Sequence, residues 1–375
     1  MVYRVLIVDD SSFFQTRLKE IINESPQLEV VGIASNGKEA IEKDASLKPD
    51  VISMDYEMPF VDGISAVRSI LATRSVPIVM FSSMTYEGAR ITLEALEAGA
   101  VDFIPKNFAD VAKNSASLKK RLHDKLITFA RNARPSSLRP ALRQADKSHE
   151  PEASSRSSSL TRSNETLTSD RAPAKPVARR PARSGKLRGS VKALIIGAST
   201  GGPVAVSEII RQLPVNFPVP IIIVQHMPEN FTRAFAERLD RQSVLSVKEA
   251  QDGDSLAPGK VYVAPGGKQL IFDKRGRHLK IIEGDERVNY KPSVDIAFAS
   301  AANVFGKDTL SLVLTGMGTD GCEGAKLLKQ RGACIWAQDK ESSVVYGMPA
   351  AVAKAGLVDA VLPIEDFASS LIAEM

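Results

Sequence analysis

The chain has 375 residues, of which 43% are hydrophobic and 25% charged, with a formal net charge of +5. That length suits two domains of ordinary size, and no apolar run approaches the ~18–20 residues of a membrane span. Two cysteines, Cys322 and Cys334, exclude a disulfide framework, and Met1-Val2-Tyr3-Arg4 leads into a strand-like run rather than a signal peptide, so a cytoplasmic protein is expected.

From the first residues, short apolar runs alternate with stretches of helical spacing. Arg4 to Val8, Val30 to Ala34, Val51 to Met54, Ile78 to Phe81 and Val101 to Ile104 predict strands, and Phe13 to Ile22, Lys38 to Leu47, Ile64 to Leu71 and Glu87 to Ala98 predict helices. Such alternation predicts a parallel sheet covered on both faces, with function beyond the carboxyl ends of the strands. Asp9 and Asp10 end the first strand, Asp55 the third and Ser82 the fourth, and Lys106 follows the fifth. Three convergent carboxylates repel one another unless a cation lies between them, and an all-oxygen set suits Mg²⁺. A lysine opposite them neutralises a tetrahedral anion, so the set favours phosphoryl transfer onto a carboxylate. Taken singly, an Asp after a strand caps a helix and a Lys after Pro105 is surface; the five together point to chemistry.

Residues 1–131 resemble the receiver domain of two-component response regulators. The matching stretches are Val8-Asp9-Asp10-Ser11, Met54-Asp55 with Met58-Pro59 and Asp62-Gly63, Phe81-Ser82-Ser83 and Ile104-Pro105-Lys106. The resemblance implies a flavodoxin-like fold in which Asp55 accepts phosphate from a histidine kinase. It also implies that Asp9, Asp10 and Asp55 hold Mg²⁺, that Ser82 and Lys106 contact the phosphoryl group, and that Phe103 is an aromatic switch residue.

Residues 132–189 change character. From Arg134 to Ser190 there are thirteen Lys or Arg, five Asp or Glu and no aromatic residue, a local net of +8 that leaves −3 for the remainder. Ser, Pro and Arg dominate, and such a stretch cannot bury enough apolar area to offset its ordering entropy, which predicts a disordered linker. The basicity therefore belongs to a tail rather than a face, and no specific nucleic-acid surface is expected.

Residues 190–375 open a second alternation. Val191 to Ile196, Val219 to Val224, Leu310 to Leu314 and Ala333 to Ala337 predict buried strands, and Val204 to Leu213, Phe231 to Leu239 and Gly324 to Lys329 predict helices. Gln269 to Phe272 and His278 to Ile282, joined across Asp273 to Arg277, predict an antiparallel hairpin. A doubly wound, mainly parallel α/β sheet is expected, with a site at its strand ends.

Gly197-Ala198-Ser199-Thr200-Gly201-Gly202-Pro203 ends the first of these strands, and it either cradles a phosphate or presents Ser199 as a nucleophile. A dinucleotide cradle requires an acidic residue at the end of the next strand, where the sequence has Val224-Gln225-His226. A nucleophilic serine requires a base and a group to orient it. Among four histidines, His123 falls on a charged helix, His149 in the linker and His278 in the hairpin, leaving His226. Asp320, in Leu314-Thr315-Gly316-Met317-Gly318-Thr319-Asp320-Gly321, is the expected orienter, and glycines there let backbone N–H groups approach an oxyanion. Gly197-Ala198-Ser199-Thr200-Gly201 fits G-x-S-x-G, but the order Ser199, His226, Asp320 is not that of α/β-hydrolases. Cys322, a rival nucleophile, has no basic neighbour to lower its pKa.

Residues 191–375 resemble the catalytic domain of the chemotaxis protein-glutamate methylesterase family, CheB. The resemblance is carried by Ile196 to Gly202, Gln225-His226-Met227, Val263-Ala264-Pro265-Gly266, Leu314 to Gly318 and Asp320-Gly321. It implies a Ser199-His226-Asp320 triad, with Thr200 and the backbone at Met317 near the oxyanion and no cofactor in this domain. The implied reaction is hydrolysis of γ-glutamyl methyl esters on chemoreceptors, with deamidation of glutamines at the same sites. The expected protein is a monomer, phosphorylated by a chemotaxis histidine kinase and gated by its receiver domain. The alternatives are a helix-turn-helix regulator, for which the output half has no signature, and a catalytically silent binding output or phosphate sink, which would require a broken triad.

Overall fold

The computed structural model describes residues 1–113, 115–132, 187, 189–285 and 287–375, so the predicted linker lies almost wholly outside the described residues. The first domain runs β1 (Tyr3–Val8), α1 (Ser12–Asn23), β2 (Leu28–Ala34), α2 (Gly37–Leu47), β3 (Val51–Met54), α3 (Gly63–Thr73), β4 (Ile78–Ser83), α4 (Tyr86–Glu97), β5 (Asp102–Lys106), α5 (Phe108–Ala112) and α6 (Ala116–Asn132). The strands form one sheet in the order β2-β1-β3-β4-β5, every pairing parallel. Helix starts are fixed locally: Asn36, Asp62 and Thr85 accept hydrogen bonds from the amides of Glu39, Ser65 and Gly88. The expected strand Val101 to Ile104 instead runs two residues further, through Pro105. It is an edge strand, where a missing N–H interrupts no ladder.

The second domain runs β6 (Ala193–Ala198), α7 (Gly202–Ile210), β7 (Ile221–Gln225), α8 (Glu229–Gln242), β8 (Ser246–Glu249), β9 (Lys260–Val263), β10 (Lys268–Phe272), β11 (Leu279–Glu283), α9 (Val294–Val304), β12 (Thr309–Val313), α10 (Cys322–Gln330), β13 (Cys334–Gln338), α11 (Met348–Lys354), β14 (Ala360–Leu362) and α12 (Phe367–Glu374). Seven strands make one parallel sheet, β14-β13-β12-β6-β7-β9-β8, and β10 and β11 pair antiparallel as a separate hairpin. The apolar runs chosen from the sequence are its central strands, and β6, β7 and β12 are buried throughout. The short β8, β9 and β14 lie toward the edges and carry too little apolar sequence to stand out. Helix α7 starts two residues before the expected Val204, because Gly201 takes φ +75° and Pro203 is suited to a first helical turn. Strand β6 is central, so its end lies between those of β7 and β12.

The domains touch at the mouth of the second sheet. The Phe103 ring of β5 stacks on Phe231 of α8 with centroids 4.4 Å apart, joining buried apolar residues of the two domains into one cluster. Asn230 Nδ2 donates to the Met84 carbonyl at 2.8 Å, Arg238 Nε donates to Glu97 at 2.7 Å, and the Tyr86 hydroxyl donates to Glu237. Val345 and Met317, from loops beside β12, pack against the core of the first domain.

Candidate active site

Two sites sit at the carboxyl ends of the two sheets. In the first domain Asp9, Asp10 and Asp55 place carboxylate oxygens within 4.8 Å of one another. Lys106 Nζ lies 2.6 Å from Asp55 and 2.8 Å from Asp9, over the Phe14 ring at 4.1 Å. Burial drives the Asp55 carboxyl up to about 6, with Lys106 opposing, and burial likewise raises Asp9. Buried carboxylates that resist ionising, together with an all-oxygen donor set, fit a hard divalent cation. The Ser82 hydroxyl is buried without a hydrogen-bond partner among the described residues, as a group reserved for a ligand would be.

A carboxyl whose folded pKa lies above its ordinary value stabilises the fold only while protonated, and that contribution fades as pH rises from about 4 through about 6. In metal-free buffer Asp55→Asn is therefore expected to raise stability at pH 7.5 by about 3 kcal/mol, and by little at pH 4. Thermal melts at the two pH values check this; a variant less stable than the parent at pH 7.5 would contradict it.

In the second domain Ser199 and His226 follow the paired strand residues Ala198 and Gln225, and the His226 amide donates to the Ala198 carbonyl at 3.1 Å. His226 Nε2 is 2.7 Å from Asp320 Oδ2. A carboxylate only accepts, so Nε2 carries the proton and Nδ1 carries the lone pair. That Nδ1 is buried and has no partner among the described residues. Asp320 also accepts from Ser293 Oγ (2.9 Å) and from the amides of Val294 (2.7 Å) and Asp295 (3.1 Å), the N-terminus of α9. Burial would raise the Asp320 carboxyl, but the hydrogen bond from His226 and those from these amides outweigh it and hold the carboxyl ionised. The neighbouring Asp295 is raised instead, by burial and by the Asp320 charge.

The Ser199 backbone is clamped from three sides. Gln225 Nε2 donates to its carbonyl at 2.8 Å, the Gly202 amide donates to the same carbonyl at 2.8 Å, and its own amide donates to Thr315 at 3.1 Å. A Cβ on Gly316 would stand 2.8 Å from Ser199 Cβ, so only glycine lets the two loops meet there. The Ser199 hydroxyl has no hydrogen-bond partner among the described residues. The Met317 amide makes no main-chain hydrogen bond among them. The Thr200 hydroxyl, by contrast, is already engaged: it donates to Asp102 of the first domain at 2.7 Å.

The remaining candidates fall away. Burial raises the Cys322 thiol, opposite to what a nucleophile needs. His123 Nε2 lies 2.6 Å from the Ile21 carbonyl, His278 is exposed in the hairpin, and His149 lies outside the described residues.

Residues 194–371 match the CheB methylesterase family, and residues 5–115 match the response regulator receiver domain family. The protein-glutamate methylesterase/protein-glutamine glutaminase 1 of Saccharophagus degradans is 62% identical over 375 residues, covering 100% of both chains. The chain belongs to the CheB methylesterase family. The Vibrio cholerae enzyme of the same description is 51% identical over 389 residues, covering 100% of this chain and 99% of that one. A solved CheB methylesterase catalytic domain from Thermotoga maritima is 44% identical, with a TM-score of 0.47, and covers 48% of this chain and 97% of that one. A CheB sequence thus accounts for both halves: a receiver domain joined to a methylesterase domain.

Three groups at the site escaped the sequence reading. Ser293 caps α9 as well as holding Asp320, and Ser293-Val294-Asp295 before an apolar run is a readable helix start. Gln338 accepts from the Thr315 amide at 2.8 Å, which no local pattern announces. Tyr290 stacks on His226, and a lone tyrosine in a loop carries no signal at all.

Proposed function

We propose that Ser199, His226 and Asp320 carry out the hydrolysis of protein γ-glutamyl methyl esters, and of the corresponding glutamine amides, under control of phosphorylation at Asp55. The enzyme is a protein-glutamate methylesterase of the CheB family, with glutaminase activity. The observation that carries the residue assignment is the His226 imidazole: one nitrogen is committed to an ionised carboxylate, and the other is buried and unpartnered at the end of the strand beside Ser199.

His226 Nδ1 takes the Ser199 proton as Oγ attacks the ester carbonyl, and the Met317 amide receives the developing oxyanion. The C–O bond to the methyl group's oxygen breaks, and methanol leaves with the proton from Nδ1. Water then attacks the acyl-enzyme with His226 again as base, freeing the glutamate carboxylate and Ser199. With a glutamine side chain, ammonia leaves in place of methanol. Asp320 holds the imidazolium that forms in each half.

In the receiver domain, Asp55 takes a phosphoryl group from a histidine kinase. Asp9, Asp10 and Asp55 would hold Mg²⁺, which supplies charge neutralisation for phosphoryl transfer, while Lys106 and Ser82 face the phosphoryl oxygens. The closed arrangement supports gating: Asp102 occupies the Thr200 hydroxyl, and Phe103 and Met317 bind the two domains at the catalytic mouth. The substrate is a methylated cytoplasmic segment of chemoreceptors. Among the described residues no helix is long and apolar enough to cross a membrane, and a monomeric cytoplasmic enzyme is proposed.

The test of gating is a charge reversal at the domain contact. Arg238→Glu sets two acidic groups against each other at Glu97 and is expected to raise methanol release by the unphosphorylated enzyme about tenfold, with Glu97→Arg in the same chain restoring the low rate. An unchanged rate in Arg238→Glu would rule out closure through this contact.

A further inference from the structure

Hydrolysis as proposed above needs the His226 ring held in one plane, because one nitrogen must meet Asp320 while the other meets the serine proton. A single hydrogen bond at Nε2 leaves the ring free to tilt about that contact. The Tyr290 ring removes this freedom: it lies on the imidazole with centroids 4.1 Å apart and planes 5° from parallel. Tyr290 is itself built in. Gln269, buried on β10, donates from Nε2 to the Tyr290 carbonyl at 2.7 Å and accepts at Oε1 from the Ser293 amide at 2.8 Å. One carboxamide thus fixes both the tyrosine and the serine that anchors Asp320.

Tyr290 stands at the surface, 37% exposed, whereas the side chains of His226 and Asp320 are 9% and 5% exposed. It therefore covers one face of the imidazole that bonds Asp320 with a ring that meets solvent. The hydroxyl reaches the opposite wall, since a Cβ on Gly318 would stand 3.2 Å from it. The ring spans from the base to the loop that carries the Met317 amide.

We propose that Tyr290 is a positioning residue for catalysis, whose ring fixes the plane of the His226 imidazole and shields its hydrogen bond to Asp320 from water. Its π face also meets the imidazolium that forms in each half-reaction, an interaction that strengthens as charge develops. The ring, not the hydroxyl, carries this role, so phenylalanine can replace it and alanine cannot.

This inference rests on the triad assignment, and two readouts on the full chain separate them. The first is methanol release: Tyr290→Ala is expected to lower kcat about tenfold with KM nearly unchanged, while Tyr290→Phe stays within about twofold of the parent. The second needs no substrate. The His226 Nε2 proton, assigned by its loss in His226→Gln, is expected to exchange with water about tenfold faster in Tyr290→Ala and at the parental rate in Tyr290→Phe. An unchanged exchange rate in a folded Tyr290→Ala would overturn the positioning role whatever the kinetics. Faster exchange together with no methanol release even from the parent would uphold it and break the functional assignment instead.

Discussion

Replacing Ser199 by alanine will lower methanol release by a factor on the order of 10⁴–10⁶ in kcat, as removal of the nucleophile does in other triads. The loss should be catalytic and not structural. The Ser199 hydroxyl has no hydrogen-bond partner among the described residues, so its removal orphans nothing, and its backbone clamps through Gln225, Gly202 and Thr315 remain. The melting temperature and the KM for a receptor fragment are expected to stay near the parental values. A variant retaining a tenth of the parental rate would remove Ser199 from the chemistry.

Asp320→Asn is expected to cost about 10³–10⁴ in kcat. All four groups at the Asp320 carboxylate are donors: the His226 ring, the Ser293 hydroxyl and the amides of Val294 and Asp295. An asparagine must turn its own NH₂ against one pair of them. If it faces His226, the imidazole gives up its Nε2 proton and takes one on Nδ1, losing the lone pair that accepts from serine. The ionised carboxylate also stabilises the fold. Its pKa is depressed, so that contribution is present above the ordinary carboxylate range and is lost as pH falls through the depressed one. Asp320→Asn should therefore melt lower than the parent at neutral pH, with the gap narrowing in acid. Retained activity, or a gap that widens in acid, would contradict the role given to this residue.

Much of this was legible in the sequence because parallel sheets write themselves plainly. Strands buried on both faces appear as unbroken apolar runs, as in residues 221–224, and the candidate site residues stand where those runs end. Asp9, Asp55, Ser199 and His226 are all of this kind. What could not be read is whatever depends on pairing across the fold. The fifth strand runs past the expected Ile104 through Pro105, which its edge position permits and no local pattern announces. Tyr290 and Gln338 reach the site from loops and strands far away in sequence, and nothing local marks them.

The residues that form the domain contact were likewise unmarked. Phe103 was expected as an aromatic switch residue, but its stacking on Phe231 follows only from how the two domains meet. The Thr200 hydroxyl, expected near the oxyanion, is instead held by Asp102, so opening the contact would free it as well as uncover the site. Asp102 also receives Lys125 of α6, so the carboxylate that reaches the catalytic domain is tied to the body of the receiver.

Control of hydrolysis at Ser199 by phosphate on Asp55 is read out by methanol release from a methylated chemoreceptor fragment. The full chain and Asp55→Asn are assayed with and without a small-molecule phosphodonor plus Mg²⁺. A low basal rate is expected, rising with the donor in the parent and not in Asp55→Asn. A parental rate indifferent to the donor, or an equal rise in Asp55→Asn, would contradict it.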